Sequence, residues 1–245
     1  MARATFDFSG STAIVTGAAR GIGLALSSAF AAAGADVVMV DADADALAEG
    51  ASAAGGHGIV ADVSDSADVD RVVAEAVERT GRVDVLVNNA GVLRDNVVWK
   101  ISDDDWDIVV DVSLKGSFLF TRACVPHFRA QGGGRIINVT SFTGLRGNTG
   151  QAAYAAAKSG IIGYTKTVAK ELARFGVTVN AISPNARTRM IDSIPEDKLA
   201  EIAAQIPLGR FAEPDEIAAG VLFLASDDAA YVTGVVLPID GGVSM

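Results

Sequence analysis

Apolar runs of strand length alternate along the chain with longer Ala-rich stretches of helical period. The first, TAIVTG (12–17), is short and rich in β-branched residues, and Gly21 to Ala33 after it reads as a helix closed by Gly34. ADVVMVD (35–41) comes next, then an acidic, Ala-rich helix to about Ala54. HGIVADV (57–63), VDVLVNN (83–89), GRIINVTS (134–141) and GVTVNAISP (176–184) repeat the signal, and VVLPID (235–240) brings the strands to seven. Runs buried on both faces with helices between them are what a parallel sheet requires. The pattern predicts a doubly wound α/β fold, since right-handed crossovers leave few alternatives.

No linker, low-complexity tract or internal repeat interrupts the alternation, so residues 1–245 read as one domain. The irregular stretch is 185–213, with two prolines and mixed polarity just beyond the sixth strand. That position suits a lid over a site better than a plain surface insertion.

Composition narrows the function classes. Half of the 245 residues are hydrophobic and 20% charged, ample for a sizeable core. Thirty acidic against 20 basic residues give a net charge of −10, which repels phosphate backbones and anionic lipid. Neither nucleic acid nor a membrane surface is an expected partner. One cysteine, Cys124, rules out an internal disulfide, and two histidines, His57 and His127, supply no metal cluster. With no apolar run of signal-peptide or membrane-spanning length, the chain reads as cytoplasmic.

The first strand runs into Thr16-Gly17-Ala18-Ala19-Arg20-Gly21-Ile22-Gly23, spaced G-x-x-x-G-x-G. Glycines permit the sharp turn, admit a pyrophosphate close to the backbone and open a helix whose amides favour an anion. Asp41 ends the second strand, where an adenosine ribose would offer its hydroxyls; it equally suits an N-cap for the next helix. Asp62-Val63 fits the edge of an adenine ring and, as well, an ordinary turn.

At the other end of the site, GRIINVTS delivers Ser141 at a strand's carboxyl end, with Tyr154 thirteen residues on and Lys158 four further. Positions i and i+4 share a helix face, so phenol and ammonium converge. A cation about 4 Å from the phenol, at an effective dielectric of about 20, is worth about 4 kcal/mol, or roughly three pKa units. The spacing therefore predicts Tyr154 as general base for alcohol oxidation and acid in reverse, with Ser141 bonding the substrate oxygen.

TGAARGIG, NNAG (88–91), Ser141, Tyr154-x-x-x-Lys158 and PIDGG (238–242) together resemble the short-chain dehydrogenase/reductases, in the family's order and over essentially the whole chain. The resemblance implies a Rossmann-like seven-stranded sheet with helices on both faces, a nicotinamide cofactor and a homotetramer or homodimer. It implies that Gly17, Arg20, Gly21, Ile22 and Gly23 hold the pyrophosphate and Asp62 and Val63 the adenine. Asn89, Ala90 and Gly91 would line the adenosine side, Lys158 would also bond the nicotinamide ribose, and Thr188 would sit near the carboxamide. NAD is the expected cofactor in preference to NADP, because Asp41 would repel a 2′-phosphate and Ala42 beside it is uncharged, although Arg20 argues the other way.

Two departures stand out. Where the family carries a proton-relay asparagine in N-x-x-G, this chain has Ser113-Leu-Lys-Gly116, and the usual P-G after strand six is Pro184-Asn185. Segments around LRDNVVWKISDDDWDIV and GNTGQAAY are similar to the 3-hydroxyacyl-CoA dehydrogenase domain of the peroxisomal multifunctional enzyme, and the C-terminal third to 3-oxoacyl-carrier-protein reductases. The leading expectation is an NAD(H)-dependent oxidoreductase interconverting a secondary alcohol and a ketone. A 3-hydroxyacyl or 3-oxoacyl thioester and a small cyclic or sugar-derived alcohol are its candidate substrates. A cofactor-binding scaffold with negligible turnover is the rival class, motivated by Ser113. Trp99 and Trp106 read as packing residues, Cys124 as buried and inert, and Asp103-Asp104-Asp105 as a solvated helix start rather than a metal site.

Overall fold

In the computed structural model, which describes residues 4–187 and 196–245, all seven apolar runs are strands. They are β1 (Thr12–Thr16), β2 (Asp36–Asp41), β3 (His57–Val60), β4 (Val85–Asn88), β5 (Gly134–Val139), β6 (Val177–Pro184) and β7 (Val236–Ile239). The sheet order is β3-β2-β1-β4-β5-β6-β7, with every neighbouring pair parallel. β1 lies between β2 and β4, with Ile14 opposite Val38 on one side and Leu86 on the other. The strand order reverses at this point, and the crevice beyond the carboxyl ends of β1 and β4 is where such sheets receive ligands.

Helices cover both faces: α1 (Gly21–Ala32), α2 (Ala44–Ala54), α3 (Ser66–Thr80), α4 (Asp103–Val110), α5 (Gly116–Gln131), α6 (Phe142–Arg146), α7 (Ala152–Leu172), α8 (Glu196–Ala203) and α9 (Pro214–Ala225). Successive strand residues point to opposite sides, which divides the core in two. Val15, Met39 and Ile137 pack with Leu26 and Phe30 of α1 and Ile217 and Leu224 of α9. Ile14, Val38 and Ile136 meet Val69 and Val72 of α3, Phe120 and Phe128 of α5, and Val168 and Leu172 of α7. Both layers are therefore closed by side chains one residue apart in the sequence.

Some features differ from the sequence expectation. α4 passes through one π-helical turn, Asp111–Lys115, before continuing as α5. Trp99 stands out at 77% exposed and Trp106, 41% exposed, is only partly covered. The stretch 185–213 contains α8, and Ala186 bridges Ala212 at its base; residues 188–195 within it, Thr188 included, lie outside the described residues. Cys124 is buried as expected, and burial pushes its thiol up to about 12. Asp103, Asp104 and Asp105 form the first turn of α4, where the Ser102 hydroxyl accepts from the Asp105 amide at 3.1 Å. Among the described residues no helix is long and apolar enough to cross a membrane.

Candidate active site

The β1–α1 turn is built for close approach. Gly17 has φ +63° and Gly21 φ +56°, conformations that side chains disfavour. A Cβ on Gly23 would fall 2.1 Å from the Gly17 carbonyl oxygen, so only glycine allows the turn to fold onto the start of α1. Arg20 is the N-cap of α1, yet no side chain caps the helix and its first turn holds no acid. Amides left without a helical partner there form a ready anion site. Those glycines and that uncapped end fit the pyrophosphate of a dinucleotide.

The NNAG residues brace this turn from β4. The Asn89 side-chain amide donates to the carbonyls of Thr16 (2.9 Å) and Gly17 (3.0 Å). The backbone amides of Asn89 and Ala90 donate to the Thr16 hydroxyl at 3.0 and 3.1 Å. Gly91 lies deeper, beside Lys158 and Ser113: a Cβ on it would sit 3.3 Å from Lys158 Nζ and 3.4 Å from Ser113 Oγ.

On the adenosine side, both oxygens of Asp41 already accept backbone amides, from Ala19 and from Asp43, each at 3.1 Å. The Arg20 guanidinium pairs with Asp43, and the Asp43 carboxylate also caps α2 through the Ala46 amide. The N-cap of α2 is thus Asp43 and not Asp41. Asp62 accepts from the Ser64 amide (2.8 Å) and hydroxyl (2.7 Å), and its own amide donates to Asp68. Its turn function is occupied, while Val63 beside it is buried.

Ser141 ends the strand path of β5 and becomes the N-cap of α6, its Oγ accepting from the Thr143 amide at 3.2 Å. That bond leaves the hydroxyl hydrogen free to point elsewhere, and the Ser141 hydroxyl pulls the pKa of the Tyr154 phenol down against the effect of burial. Lys158, one turn along α7, is 2% exposed; its Nζ donates to the Val139 carbonyl at 2.8 Å and stands 5.6 Å from the centre of the Tyr154 ring. Burial pushes Lys158 down to about 8. The same effect raises Tyr154 to about 12, opposed by the Ser141 hydroxyl and reinforced by the Asp95 carboxylate. The phenol is not depressed, contrary to the expectation from spacing: the ammonium is turned to a backbone carbonyl, and desolvation dominates.

Ser113 occupies the π-turn, 1% exposed, and its hydroxyl has no protein partner. Three residues that spacing alone did not single out complete the site. Thr140 Oγ1 donates to the Lys158 carbonyl at 2.6 Å. A Cβ on Gly144 would lie 2.7 Å from the Lys158 carbonyl carbon, so α6 can rest on α7 only through a glycine. Gln151, just before α7, is hydrogen-bonded to Thr143 and Asp95. A glycine three residues after a strand-end serine is a signal that sequence offers; the partners of a glutamine are not.

A family described as enoyl-(acyl carrier protein) reductase matches residues 17–244. The 3-oxoacyl-[acyl-carrier-protein] reductase of Thermotoga maritima is 45% identical over 240 residues, covering 96% of this chain and 98% of the relative. That of Escherichia coli K12 is 41% identical over 246 residues, covering 98% and 99%. A solved chain from Sinorhizobium meliloti 1021, described as a short-chain alcohol dehydrogenase, superposes with a TM-score of 0.92 at 36% identity, covering 98% of each chain.

These relatives correct the expectation of NAD. The reaction they are named for, reduction of a 3-oxoacyl thioester, draws on NADPH. Asp41 does not stand as a free charge: two backbone amides already engage it, and a guanidinium, Arg20, stands at the same rim.

Proposed function

The chain belongs to the short-chain dehydrogenase/reductase family and is an oxidoreductase acting on CH–OH and keto groups, and from that premise we propose that it reduces a 3-oxoacyl thioester, with NADPH as reductant and Tyr154 as the acid. The observation that carries this reading is the gathering of Ser141, Tyr154 and Lys158 beside a glycine cradle, in a chain so similar to 3-oxoacyl-carrier-protein reductases. A bound reduced nicotinamide supplies the hydride. Gly17, Gly21, Ile22 and Gly23 would hold its pyrophosphate, Arg20 its 2′-phosphate, and Lys158 its ribose.

The protein's own groups handle the proton. Tyr154, raised to about 12, stays protonated at neutral pH and gives its proton to the ketone oxygen as negative charge develops there. Ser141, its oxygen held by the Thr143 amide, donates to the same oxygen and fixes the carbonyl in line with the phenol. Lys158, its Nζ 5.6 Å from the centre of the Tyr154 ring, sets a positive charge near the phenolate left behind, where it is felt most in a buried site. Ser113 and Lys158 flank Gly91, and we assign the Ser113 hydroxyl the link by which a water reaches the lysine to restore the proton.

The reading includes a homo-oligomer working in the cytoplasm. The outer stripe of α7 carries Ala156, Ser159 and Gly163, all exposed and all small enough for a second copy to approach closely. To test the function, purified protein is given 3-oxoacyl thioesters and simple ketones with NADPH, and reductant absorbance is followed. Faster turnover of the thioesters is expected. Turnover of simple ketones with none of any thioester would overturn the substrate class.

A further inference from the structure

Gln151 stands at the meeting of three segments that frame the phenol. Its Nε2 donates to Asp95 Oδ2 at 2.8 Å, in the loop after β4. Its Oε1 accepts from Thr143 Oγ1 at 2.9 Å, in α6, and from Asn148 Nδ2 at 3.0 Å, in the α6–α7 loop. The backbone follows the same seam: the Asn96 amide donates to the Gly150 carbonyl at 2.8 Å, and Asn96 bridges Gln151. Gln151 is the N-cap of α7, yet its side chain does not cap that helix. All of its polar side-chain atoms are turned across the seam instead.

Each contact lies one step from the reacting pair. Thr143, buried, is the residue whose amide holds Ser141 Oγ, so a bond to its side chain steadies the donor that orients the serine. Asp95 is the carboxylate felt by the Tyr154 phenol, and Tyr154 itself is in the first turn of α7, three residues past Gln151. A carboxamide is needed for this: it presents an NH2 donor group and a carbonyl oxygen able to accept twice, at a fixed spacing. A carboxylate would meet Asp95 with like charge, and an alkyl group would leave Thr143 Oγ1 without its acceptor.

We infer that Gln151 is a positioning residue for the Ser141–Tyr154 pair, a clasp that sets the register of α6, α7 and the Asp95 loop about the phenol. The inference rests on Tyr154 as the acid and not on the identity of the substrate. Small errors in the placement of reacting groups cost large factors in rate, so the effect appears in kcat and not in cofactor affinity.

The test compares kcat, KM, cofactor Kd and melting temperature, on whichever ketone the wild type reduces fastest. Gln151→Glu puts two carboxylates face to face and is expected to lower kcat about tenfold or more, with cofactor Kd unchanged. Adding Asp95→Asn to it restores a donor–acceptor pair of reversed polarity, and kcat should recover to within about threefold of wild type. Asp95→Asn alone keeps the clasp but removes the anion facing the phenol. With Lys158 the remaining charge there, the alkaline limb of the kcat profile should move to lower pH. Wild-type kcat in Gln151→Glu, or a loss that the second substitution fails to rescue, overturns the inference. Should Gln151→Glu fail to fold, Gln151→Ala replaces it, with the same loss of kcat expected and wild-type kcat refuting the clasp. A failure of the thioester assignment, by contrast, shows in the wild type's own preference between ketones.

Discussion

Lys158 is costly to the fold. Its pKa of about 8 lies below the 10.5 of a free lysine, so below pH 8 both folded and unfolded chains carry the proton and the fold bears the full cost of a buried ammonium. As pH rises from 8 to 10.5 the folded protein loses the proton first, and stability climbs. The shift corresponds to roughly 3 kcal/mol, from which the lost bond to the Val139 carbonyl takes back about 1. Lys158→Met should therefore melt several degrees higher at pH 7 and be inactive, the advantage shrinking towards pH 10; a lower melting point at pH 7 would contradict this. Tyr154→Phe removes one atom and should abolish turnover while sparing cofactor binding, so retention of more than about a tenth of wild-type kcat rejects the acid role. Spacing made these residues legible, because i and i+4 share a helix face whatever surrounds them. It could not show that the ammonium reaches for Val139 or that amides occupy Asp41. The bonds from Lys158 to Val139 and from the Ala19 amide to Asp41 join residues about twenty positions apart, which spacing does not reveal.

At the scale of elements, Gly144 is the hinge of the site. Its missing Cβ lets α6 lie on the backbone of α7 at Lys158, and Ser159 Oγ fastens the contact by donating to the Gly144 carbonyl at 2.7 Å. Gly144→Ala must part the two helices, moving Ser141 from Tyr154; a loss of kcat of about a hundredfold is expected, with stability lowered by about 1–3 kcal/mol in denaturant titrations. Near-normal kcat would show that the helices slide freely. The π-turn gives a milder forecast. Ser113→Ala deletes a hydroxyl with no protein partner and should lower kcat by less than about tenfold, and Ser113→Asn should change it by no more than that. A wild type inert on every ketone, with an active asparagine variant, would instead support the scaffold reading. All seven strands were legible because each is a short, β-branched apolar run. The π-turn was not, since one extra residue in a helical turn barely alters the apolar period over so few residues. Nor was the exposure of Trp99 and Trp106, for an apolar side chain does not reveal by itself what covers it.

The whole molecule leaves large apolar groups at its surface, among them Trp99, Trp106, Phe118 and Phe223. The long helix α7 buries Ile161, Val168 and Leu172 and exposes only small or polar residues. A Cβ on Gly163 would meet nothing within 4 Å, so in an isolated chain Gly163→Trp has room and gains helix propensity. If a second copy lies on that stripe, tryptophan pushes it away. Light scattering should find wild type oligomeric at micromolar concentration and Gly163→Trp dissociated. A monomeric wild type would contradict the assembly.

The position of β1 between β2 and β4 also has a consequence in time. During synthesis the β2 partners of β1 come 24 positions later, but the residues of β4 that pair with Ala13, Ile14 and Val15 come about seventy positions later. At about 5–20 residues per second, the open side of β1 waits roughly 4–14 s for its partner. Throughout that interval a strand destined for complete burial presents unpaired amides and carbonyls to the cell, the kind of edge on which chains aggregate. The seam that becomes the cofactor crevice is therefore the last line of the first half to close, and the nascent chain most needs a chaperone's cover along it.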